Sequence, residues 1–271
     1  MREYQWRMSD WLDSDVAVVT GGASGNGRRI SLALAEFGAD VVVLDLQAEP
    51  REGGEPTHET VRSEFGQRAT FVECDVSDVE QLRTGVDAAD EFGGVSVMVN
   101  NAGVTQSDDF LETTEAEYDG LMDVNVKGVF FGTQAAARKM TEGGREGSII
   151  NVSSISGLTG RGDGVRYCTS KGAVRLMTYA LADALGPRGI RVNAVHPGLV
   201  ETSMTTDDLG IIGTDSAEQY RRMTPLGTIG QPEDVANAVL YLASPLASFV
   251  NGESLTVDGG VTNTWGGGWE E

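Results

Sequence analysis

Short apolar runs alternate with longer amphipathic segments along nearly the whole chain. The runs are continuous rather than alternating in polarity, as in VAVVT, VVVLD and SIINV. Continuous apolar strands are typical of parallel sheets that are covered by helices on both faces. Between them, segments such as RRISLALAEFG and PEDVANAVLYLA carry apolar residues at helical spacing. The alternation therefore predicts an α/β fold.

The pattern predicts the individual elements as follows. Strands are expected at DVAVVTG, ADVVVLDL, ATFVECDV, VSVMVNNAG, GSIINVSS, GIRVNAVHPG and SLTVDGG. Helices are expected at GRRISLALAEFG, HETVRSEFG, DVEQLRTGVDAADEFGG, about 114–140, about 165–185 and PEDVANAVLYLAS. This order predicts a Rossmann-type, doubly wound sheet of about seven parallel strands with helices on both faces.

The same pattern predicts one domain. We expect it to span residues 15–260, after an N-terminal extension of residues 1–14 and before a tail of residues 261–271. Residues 200–228 lack periodicity and are expected to form an irregular lid segment.

Composition excludes several classes of partner. The net charge of −21 and the pI near 4.4 argue against nucleic acid and anionic membranes. No uncharged apolar run approaches the length of about 18 residues that indicates a membrane span, so we expect a cytoplasmic protein. The only cysteines are Cys74 and Cys168, and the only histidines are His58 and His196. Neither a disulfide framework nor a His/Cys metal site is predicted.

The basic residues are unusual in kind. Lysine occurs only at Lys127, Lys139 and Lys171, and the other 17 basic residues are arginines. An acidic, lysine-poor chain suggests a halophilic source, where molar salt shortens carboxylate repulsion to about 3 Å. The alternative is an ordinary acidic bacterial enzyme. We expect the melting temperature to fall when molar KCl is removed, and an unchanged melting curve would favour that alternative.

A glycine-rich turn lies between the first predicted strand and helix. It reads TGGASGNG, with glycines at Gly21, Gly25 and Gly27. Glycines allow a tight turn and let the backbone approach a pyrophosphate at the helix N-terminus. Because ligands bind at the carboxyl ends of the strands in such sheets, this turn predicts a dinucleotide site.

Asp45 ends the second predicted strand. A carboxylate there can accept hydrogen bonds from the adenosine ribose and would repel a 2′-phosphate, which predicts NAD rather than NADP. Two alternatives remain open. Asp45 could cap the next turn, and Arg28 and Arg29 could hold a phosphate.

Tyr167 and Lys171 lie one helical turn apart in YCTSK. The ammonium would lie close enough to lower the pKa of the phenol and make it a usable proton donor and acceptor. Alone, this pair is also common on solvated helix faces.

With these motifs, the chain resembles the short-chain dehydrogenase/reductase family over residues 15–260. TGGASGNG fits the pattern T-G-x-x-x-G-x-G, NNAG at 100–103 fits a second family motif, and Tyr167 with Lys171 fits Y-x-x-x-K. Asn125, Ser154, PGLVET at 197–202 and the C-terminal segments QPEDVANAVLYLAS and VNGESLTVDGG are also family-like. Asn26 departs from the pattern, because the family usually has an aliphatic residue there.

The resemblance implies catalytic roles for four residues. Tyr167 would be the base in alcohol oxidation or the acid in ketone reduction, and Lys171 would lower its pKa and bind the nicotinamide ribose. Ser154 would polarise the substrate oxygen; Ser153 is the competing serine, and the spacing to Tyr167 favours Ser154. Asn125 would hold a water that links Lys171 to solvent. No metal is implied, and His196 is interpreted as structural, because the family often has a residue of this kind before Pro-Gly without a chemical role.

It also implies the cofactor contacts, with NAD as cofactor. The expected set is Gly21, Ser24, Gly25, Asn26, Gly27, Asp45, Leu46, Asp75, Val76, Asn101, Ala102, Gly103, Tyr167, Lys171, Pro197, Gly198, Val200 and Thr202. Two members have structural alternatives. Asn101 could tie neighbouring strands together, and Thr202 could cap a helix.

The expected activity is hydride transfer between NAD and a secondary alcohol. Polar residues near the tyrosine, including Arg161 and Arg166, favour a polyol, a sugar or a hydroxy acid. The alternatives are a 3-oxoacyl-thioester reductase and a non-catalytic dinucleotide-binding regulator. The family commonly forms homotetramers, and we expect Trp265 and Trp269 to pack on a neighbouring subunit or at the pocket mouth.

Overall fold

The predicted parallel sheet is present. A computed structural model describes residues 11–107 and 109–264, and in these the strands form one seven-stranded sheet in the order β3-β2-β1-β4-β5-β6-β7. All neighbouring strands are parallel. The strands are β1 (Val16–Thr20), β2 (Asp40–Asp45), β3 (Ala69–Glu73), β4 (Val97–Asn100), β5 (Gly147–Val152), β6 (Ile190–Pro197) and β7 (Ser254–Val257).

Helices cover both faces of the sheet. They are α1 (Gly25–Glu36), α2 (Thr57–Thr60), α3 (Val79–Asp87), α4 (Glu115–Met122), α5 (Val129–Glu142), α6 (Val165–Leu185), α7 (Asp215–Met223) and α8 (Pro232–Ala243). Short helical turns add Val61–Phe65, Ala88–Phe92, Asp123–Gly128, Ile155–Gly157, Gly186–Arg188, Met204–Asp208 and Pro245–Ala247.

The central strand β1 explains why the apolar runs are continuous. Its five residues are all buried. Ala17 and Val19 face one core with α1 and α8, whereas Val16 and Val18 face a second core with α3, α5 and α6. Each strand residue is therefore enclosed, whichever face it points to.

The strand order places a crevice beside β1. The chain runs outward from β1 through β2 to β3 and then returns to β4 on the other side of β1. At such a reversal the loops that follow β1 and β4 diverge and leave an opening at the carboxyl ends of the strands. The glycine-rich turn and the NNAG segment follow these two strands.

Two elements differ from the prediction. The helix expected at about 114–140 consists of α4, a π-helical turn at Asp123–Gly128 and α5. The stretch at 200–228, expected to be irregular, contains α7. Only Ala217 of α7 is buried, so its sequence shows no apolar period. Its acidic first turn and basic last turn complement the helix dipole, which is the signal that favours a helix here.

The described end of the N-terminal extension packs on the domain. Leu12 is fully buried, its N–H donates to the Phe37 carbonyl at 2.9 Å, and the Trp11 ring lies 5.2 Å from that of Phe37. The predictions for Trp265 and Trp269 concern residues outside the described ranges. None of the described helices combines the length and apolar character needed to span a bilayer.

Candidate active site

Tyr167 and Lys171 lie on the first turns of α6, as their spacing predicts. The Lys171 ammonium is 5.7 Å from the centre of the Tyr167 ring. Lys171 is only 3% exposed, and its Nζ donates to the Val152 carbonyl at 3.0 Å. The helix therefore holds a buried cation between the phenol and the end of β5.

Ser154 reaches the phenol, whereas Ser153 does not. Ser154 begins the short turn Ile155–Gly157, where its Oγ accepts a hydrogen bond from the Ser156 N–H at 3.1 Å. The Ser154 side chain also lies close enough to the Tyr167 hydroxyl to lower its pKa. The Ser153 hydroxyl instead donates to the Lys171 carbonyl at 2.9 Å and ties β5 to α6.

Asn125 lies in the π-helical turn and is fully buried. Its Oδ1 accepts from the Val104 N–H at 2.8 Å, and its Nδ2 donates to the Val104 carbonyl at 2.9 Å and to the Ser170 hydroxyl at 3.1 Å. The amide thus fastens the segment after β4 to α6. Gly103 lies between Asn125 and Lys171, because an added Cβ there would be 3.3 Å from Asn125 Oδ1 and 3.4 Å from Lys171 Nζ.

Burial shifts the pKa values of both Tyr167 and Lys171. Desolvation raises the pKa of Tyr167, although the Ser154 hydrogen bond and the Arg161 charge act to lower it. Desolvation lowers the pKa of Lys171 to about 8. The sequence-based prediction of a lowered phenol pKa is therefore wrong for this structure, because that prediction did not include desolvation. At neutral pH the phenol is protonated and most Lys171 side chains are charged.

The glycine-rich turn has the geometry expected of a close backbone approach. Gly21 and Gly25 have positive φ of +63° and +52°, a region that favours glycine. Asn101 Nδ2 donates to the carbonyls of Thr20 and Gly21 at 3.0 and 3.2 Å. Asp45 accepts from the Ala23 N–H at 2.9 Å. The ends of β2 and β4 hold the turn from both sides.

The other predicted cofactor residues follow the same edge of the sheet. On the β2 and β3 side, Leu46 is 67% exposed, Asp75 accepts from the Ser77 N–H at 2.9 Å and Val76 is buried. The remaining members are Ser24, Asn26, Ala102, Pro197, Gly198, Val200 and Thr202, which lie after β1, after β4 and from the end of β6 onward.

Thr202 lies close to the glycine-rich turn. Its Cγ2 would be 3.4 Å from a Cβ added at Gly25, and its N–H donates to the Thr205 hydroxyl at 3.0 Å. The segment after β6 therefore crosses over the start of α1. The helical turn that follows, Met204–Asp208, has Ser203 at its N-cap position and no side-chain cap hydrogen bond, so the structure does not support the cap alternative for Thr202.

Of the two arginines near the tyrosine, Arg166 is buried and Arg161 is exposed. Arg161 Nε lies 3.6 Å from Asp163 Oδ1, in an ion pair that solvent screens.

Comparison with known proteins supports the resemblance. The family model described as enoyl-(acyl carrier protein) reductase matches residues 21–262. The chain is 41% identical over 256 residues to an L-2,3-butanediol dehydrogenase from Corynebacterium glutamicum, covering 92% of this chain and 98% of the relative. A short-chain type dehydrogenase/reductase from Mycobacterium marinum has a similar structure, with a TM-score of 0.86 at 35% identity, covering 95% and 98% of the two chains. The chain belongs to the short-chain dehydrogenase/reductase family.

Membership in the short-chain dehydrogenase/reductase family makes this chain an oxidoreductase that acts on CH–OH groups with a nicotinamide dinucleotide. One further solved member, from Agrobacterium tumefaciens, is described as a candidate 2-deoxy-D-gluconate 3-dehydrogenase with bound NADP. It matches with a TM-score of 0.83 at 32% identity, covering 96% and 100% of the two chains.

This short-chain dehydrogenase/reductase has a contact that sequence reasoning missed. Glu52, in the loop after β2, accepts a hydrogen bond from the Gly25 N–H at 2.9 Å. The neighbouring Arg51 forms two hydrogen bonds to the Asp208 carboxylate, at 2.7 and 2.8 Å. The loop after β2 is thereby joined both to the start of α1 and to the segment after β6. No pattern in this polar loop indicates the contact.

Glu52→Gln is expected to raise the affinity for the dinucleotide by about twofold to tenfold, since a helix N-terminal N–H bonds a carboxylate more strongly than a neutral amide. A bound pyrophosphate and Glu52 would compete for the same positive end of α1. Fluorescence titration of the dinucleotide measures the dissociation constant.

Glu49→Gln is the matched control, because it removes the same charge from the same loop but Glu49 makes no contact with Gly25 among the described hydrogen bonds. Equal affinity changes in both variants would assign the effect to net charge and contradict the competition.

Proposed function

We propose that the protein is an NAD-dependent dehydrogenase/reductase that transfers a hydride between a secondary alcohol and the nicotinamide, with Tyr167 as the acid/base. The observation that carries this proposal is the position of the Ser154 side chain beside the Tyr167 phenol, with the buried Lys171 ammonium 5.7 Å from the centre of the ring. These three groups are what proton transfer at an alcohol oxygen requires.

The residues around the crevice fit a dinucleotide. Gly21 and Gly25 have backbone conformations that admit close approach, and a Cβ at Gly27 would collide with the turn. When bound, the nicotinamide supplies the hydride acceptor or donor.

The chain's own residues would then handle the proton. Ser154 Oγ would donate a hydrogen bond to the substrate oxygen and hold it near the Tyr167 hydroxyl. Tyr167 would accept the alcohol proton in oxidation or donate it in reduction. The Lys171 charge would stabilise the phenolate that forms when Tyr167 gives up its proton, because opposite charges attract strongly in a buried site. Asn125 would hold the segment after β4 against α6 through its bonds to Val104 and Ser170.

NAD is the proposed cofactor because one carboxylate, Asp45, lies at the expected ribose end and a second, Glu52, lies close enough to act on it. Asp45 is held by the Ala23 N–H, and Glu52 lies near enough to raise the pKa of Asp45, although burial is the larger cause of that shift. A 2′-phosphate would add two further negative charges beside them. The NADP found in the related structure makes NADP the competing assignment.

Asp45→Ser is expected to shift the ratio of kcat/KM for NADP to that for NAD upward by at least about tenfold, which corresponds to about 1.4 kcal/mol. The ratio is measured with both cofactors on one substrate. The control is Asp123→Ser, which removes a carboxylate that pairs with Lys127 on another element. A wild type that prefers NADP would refute the NAD assignment.

A small polar secondary alcohol is the proposed substrate class. Its members are a diol, a sugar or a hydroxy acid, and the similarity to a butanediol dehydrogenase supports it. A panel of these alcohols, followed by absorbance of the reduced cofactor, tests the class and the activity together. Cofactor binding without turnover on any member would favour the regulator alternative.

A 3-oxoacyl-thioester reductase is the second candidate, favoured by the description of the matching family model as an acyl carrier protein reductase. Faster reduction of an oxoacyl thioester than of any ketone in the panel would select it.

We further propose that the chain forms a homotetramer and that residues 200–228 act as a lid. Large apolar side chains are exposed on two helices and before β7, at Phe130, Leu176 and Phe249. Exposed apolar surface of this kind is typical of subunit interfaces. Light scattering after size-exclusion chromatography measures the mass, and a monomer would contradict the tetramer.

A further inference from the structure

A chain of four hydrogen bonds connects the outer side of α6 to the backbone of Ser154. Arg175 Nε lies 2.9 Å from the Tyr179 hydroxyl, which lies 2.8 Å from the Ser254 hydroxyl. Ser254 Oγ lies 3.0 Å from Nε2 of His196, and His196 Nδ1 lies 2.9 Å from the Ser154 carbonyl oxygen. His196, the last side chain before Ser154, is fully buried.

The guanidinium and the carbonyl at the two ends fix the direction of the outer bonds, and a neutral His196 fixes the direction of the two bonds between them. A guanidinium N–H can only donate and a carbonyl oxygen can only accept. Tyr179 therefore accepts from Arg175 and donates to Ser254, Ser254 donates to His196 Nε2, and His196 donates from Nδ1–H to Ser154. This arrangement requires neutral His196 with its proton on Nδ1. Burial lowers the pKa of His196, and the charges of Arg175 and Lys171 lower it further, which favours the neutral ring.

The position of the Ser154 carbonyl depends on hydrogen bonds other than those of the sheet. It lies two residues beyond the end of β5, outside the ladder that holds the strand. Its oxygen accepts a second hydrogen bond from the Gly157 N–H at 2.9 Å, so both of its lone pairs are used. With the Ser156 N–H bonded to Ser154 Oγ, these contacts fix the peptide plane and the side chain together.

We propose that His196 is a positioning residue, which acts through its Nδ1–H bond to the Ser154 carbonyl and holds the Ser154 hydroxyl against Tyr167. The inference rests on the proposed function, because it assigns Ser154 to the reacting oxygen. Arg175, Tyr179 and Ser254 orient the imidazole and select its tautomer, as outer groups do for histidines in other sites.

Two substitutions of His196 distinguish the roles of its two ring nitrogens. The amide nitrogen of Asn can stand where Nδ1 stands and still donate to Ser154, whereas Gln places its amide near Nε2 and loses that donor. His196→Asn is expected to keep kcat within about threefold of the wild type, while His196→Gln lowers kcat by about tenfold or more, since small misplacements of reacting groups are costly. KM for the dinucleotide should change in neither variant.

Both variants leave part of the buried space around the imidazole empty. Their melting temperatures are therefore measured in parallel, so that a loss of stability is not mistaken for a loss of positioning. Equal losses of kcat in the Asn and Gln variants, or full kcat in the Gln variant, would overturn the proposal. A wild type without turnover, or a fully active Tyr167→Phe variant, is a distinct outcome that would refute the proposed function and, with it, this inference.

Ser254 offers a milder variant that is expected to fold. Ser254→Ala removes the donor to Nε2 and is expected to lower kcat by about threefold, while Ser254→Thr keeps the hydroxyl and should restore it. An Ala variant that is as active as the Thr variant would contradict the role given to the chain of hydrogen bonds.

Discussion

Tyr167→Phe is expected to lower kcat by about 10²- to 10⁴-fold, the usual contribution of a positioned acid or base. The substitution removes one oxygen and keeps the ring that packs in the site. The affinity for the dinucleotide should stay within about threefold, because the glycine-rich turn that would bind its phosphates is unchanged. Steady-state absorbance of the reduced cofactor gives kcat, and fluorescence titration gives the affinity.

The physical reason is that the Tyr167 phenol interacts with both Ser154 and Lys171. Ser154 lies close enough to lower the pKa of the Tyr167 hydroxyl, and the centre of the Tyr167 ring lies 5.7 Å from the Lys171 ammonium. Phenylalanine can neither take nor return a proton there. Tyr241→Phe is the matched control, since it removes the same atom from α8, where the hydroxyl has no place in the proposed chemistry. A Tyr167→Phe variant that retains more than about a tenth of kcat would remove Tyr167 from the acid/base role.

Gly27→Ala should have the second largest effect, on both the fold and cofactor affinity. An added Cβ would lie 1.9 Å from the Gly21 carbonyl oxygen, 2.5 Å from Asn101 Nδ2 and 2.7 Å from the Gly21 carbonyl carbon. Two of these atoms are backbone, so the turn itself must move. We expect a loss of about 1–3 kcal/mol in the free energy of unfolding and at least a tenfold (~1.4 kcal/mol) loss of dinucleotide affinity.

Gly120→Ala provides the control for this variant. An added Cβ at Gly120, in the middle of α4, meets nothing within 4 Å. Alanine there should stabilise the protein by about 0.5–1 kcal/mol, since glycine is unfavourable inside a helix. Denaturant midpoints measure both variants. Wild-type stability and cofactor affinity in Gly27→Ala would show that the turn can relax, and would contradict the close-approach argument.

The strands and most helices could be predicted from the sequence because their signals are local. Apolar runs such as that of β1 are continuous since both faces of the sheet are covered, and the one-turn spacing of Tyr167 and Lys171 places both on one side of α6. The helix α7 was not predicted, because it buries only Ala217 and therefore lacks an apolar period.

Electrostatic properties and contacts between distant chain segments could not be predicted from the sequence as well. The pKa of Tyr167 rises where the Tyr-Lys spacing predicted a fall, because desolvation depends on every neighbour that excludes water. The bond from Gly25 to Glu52 joins residues 27 positions apart through a loop without any pattern. His196, interpreted as structural from its position before Pro-Gly, contacts Ser154 from 42 positions away.

The sequence by itself determined the layer order, the glycine-rich turn and the set of residues that mark the family, since each depends on residue type at short spacing. Only the tertiary structure decided which carboxylate occupies the N–H at the start of α1 and how the imidazole of His196 is oriented. Those outcomes depend on distances between chain segments that are far apart in sequence and on the exclusion of water between them. Packing of the whole sheet sets both quantities, and no local pattern encodes either.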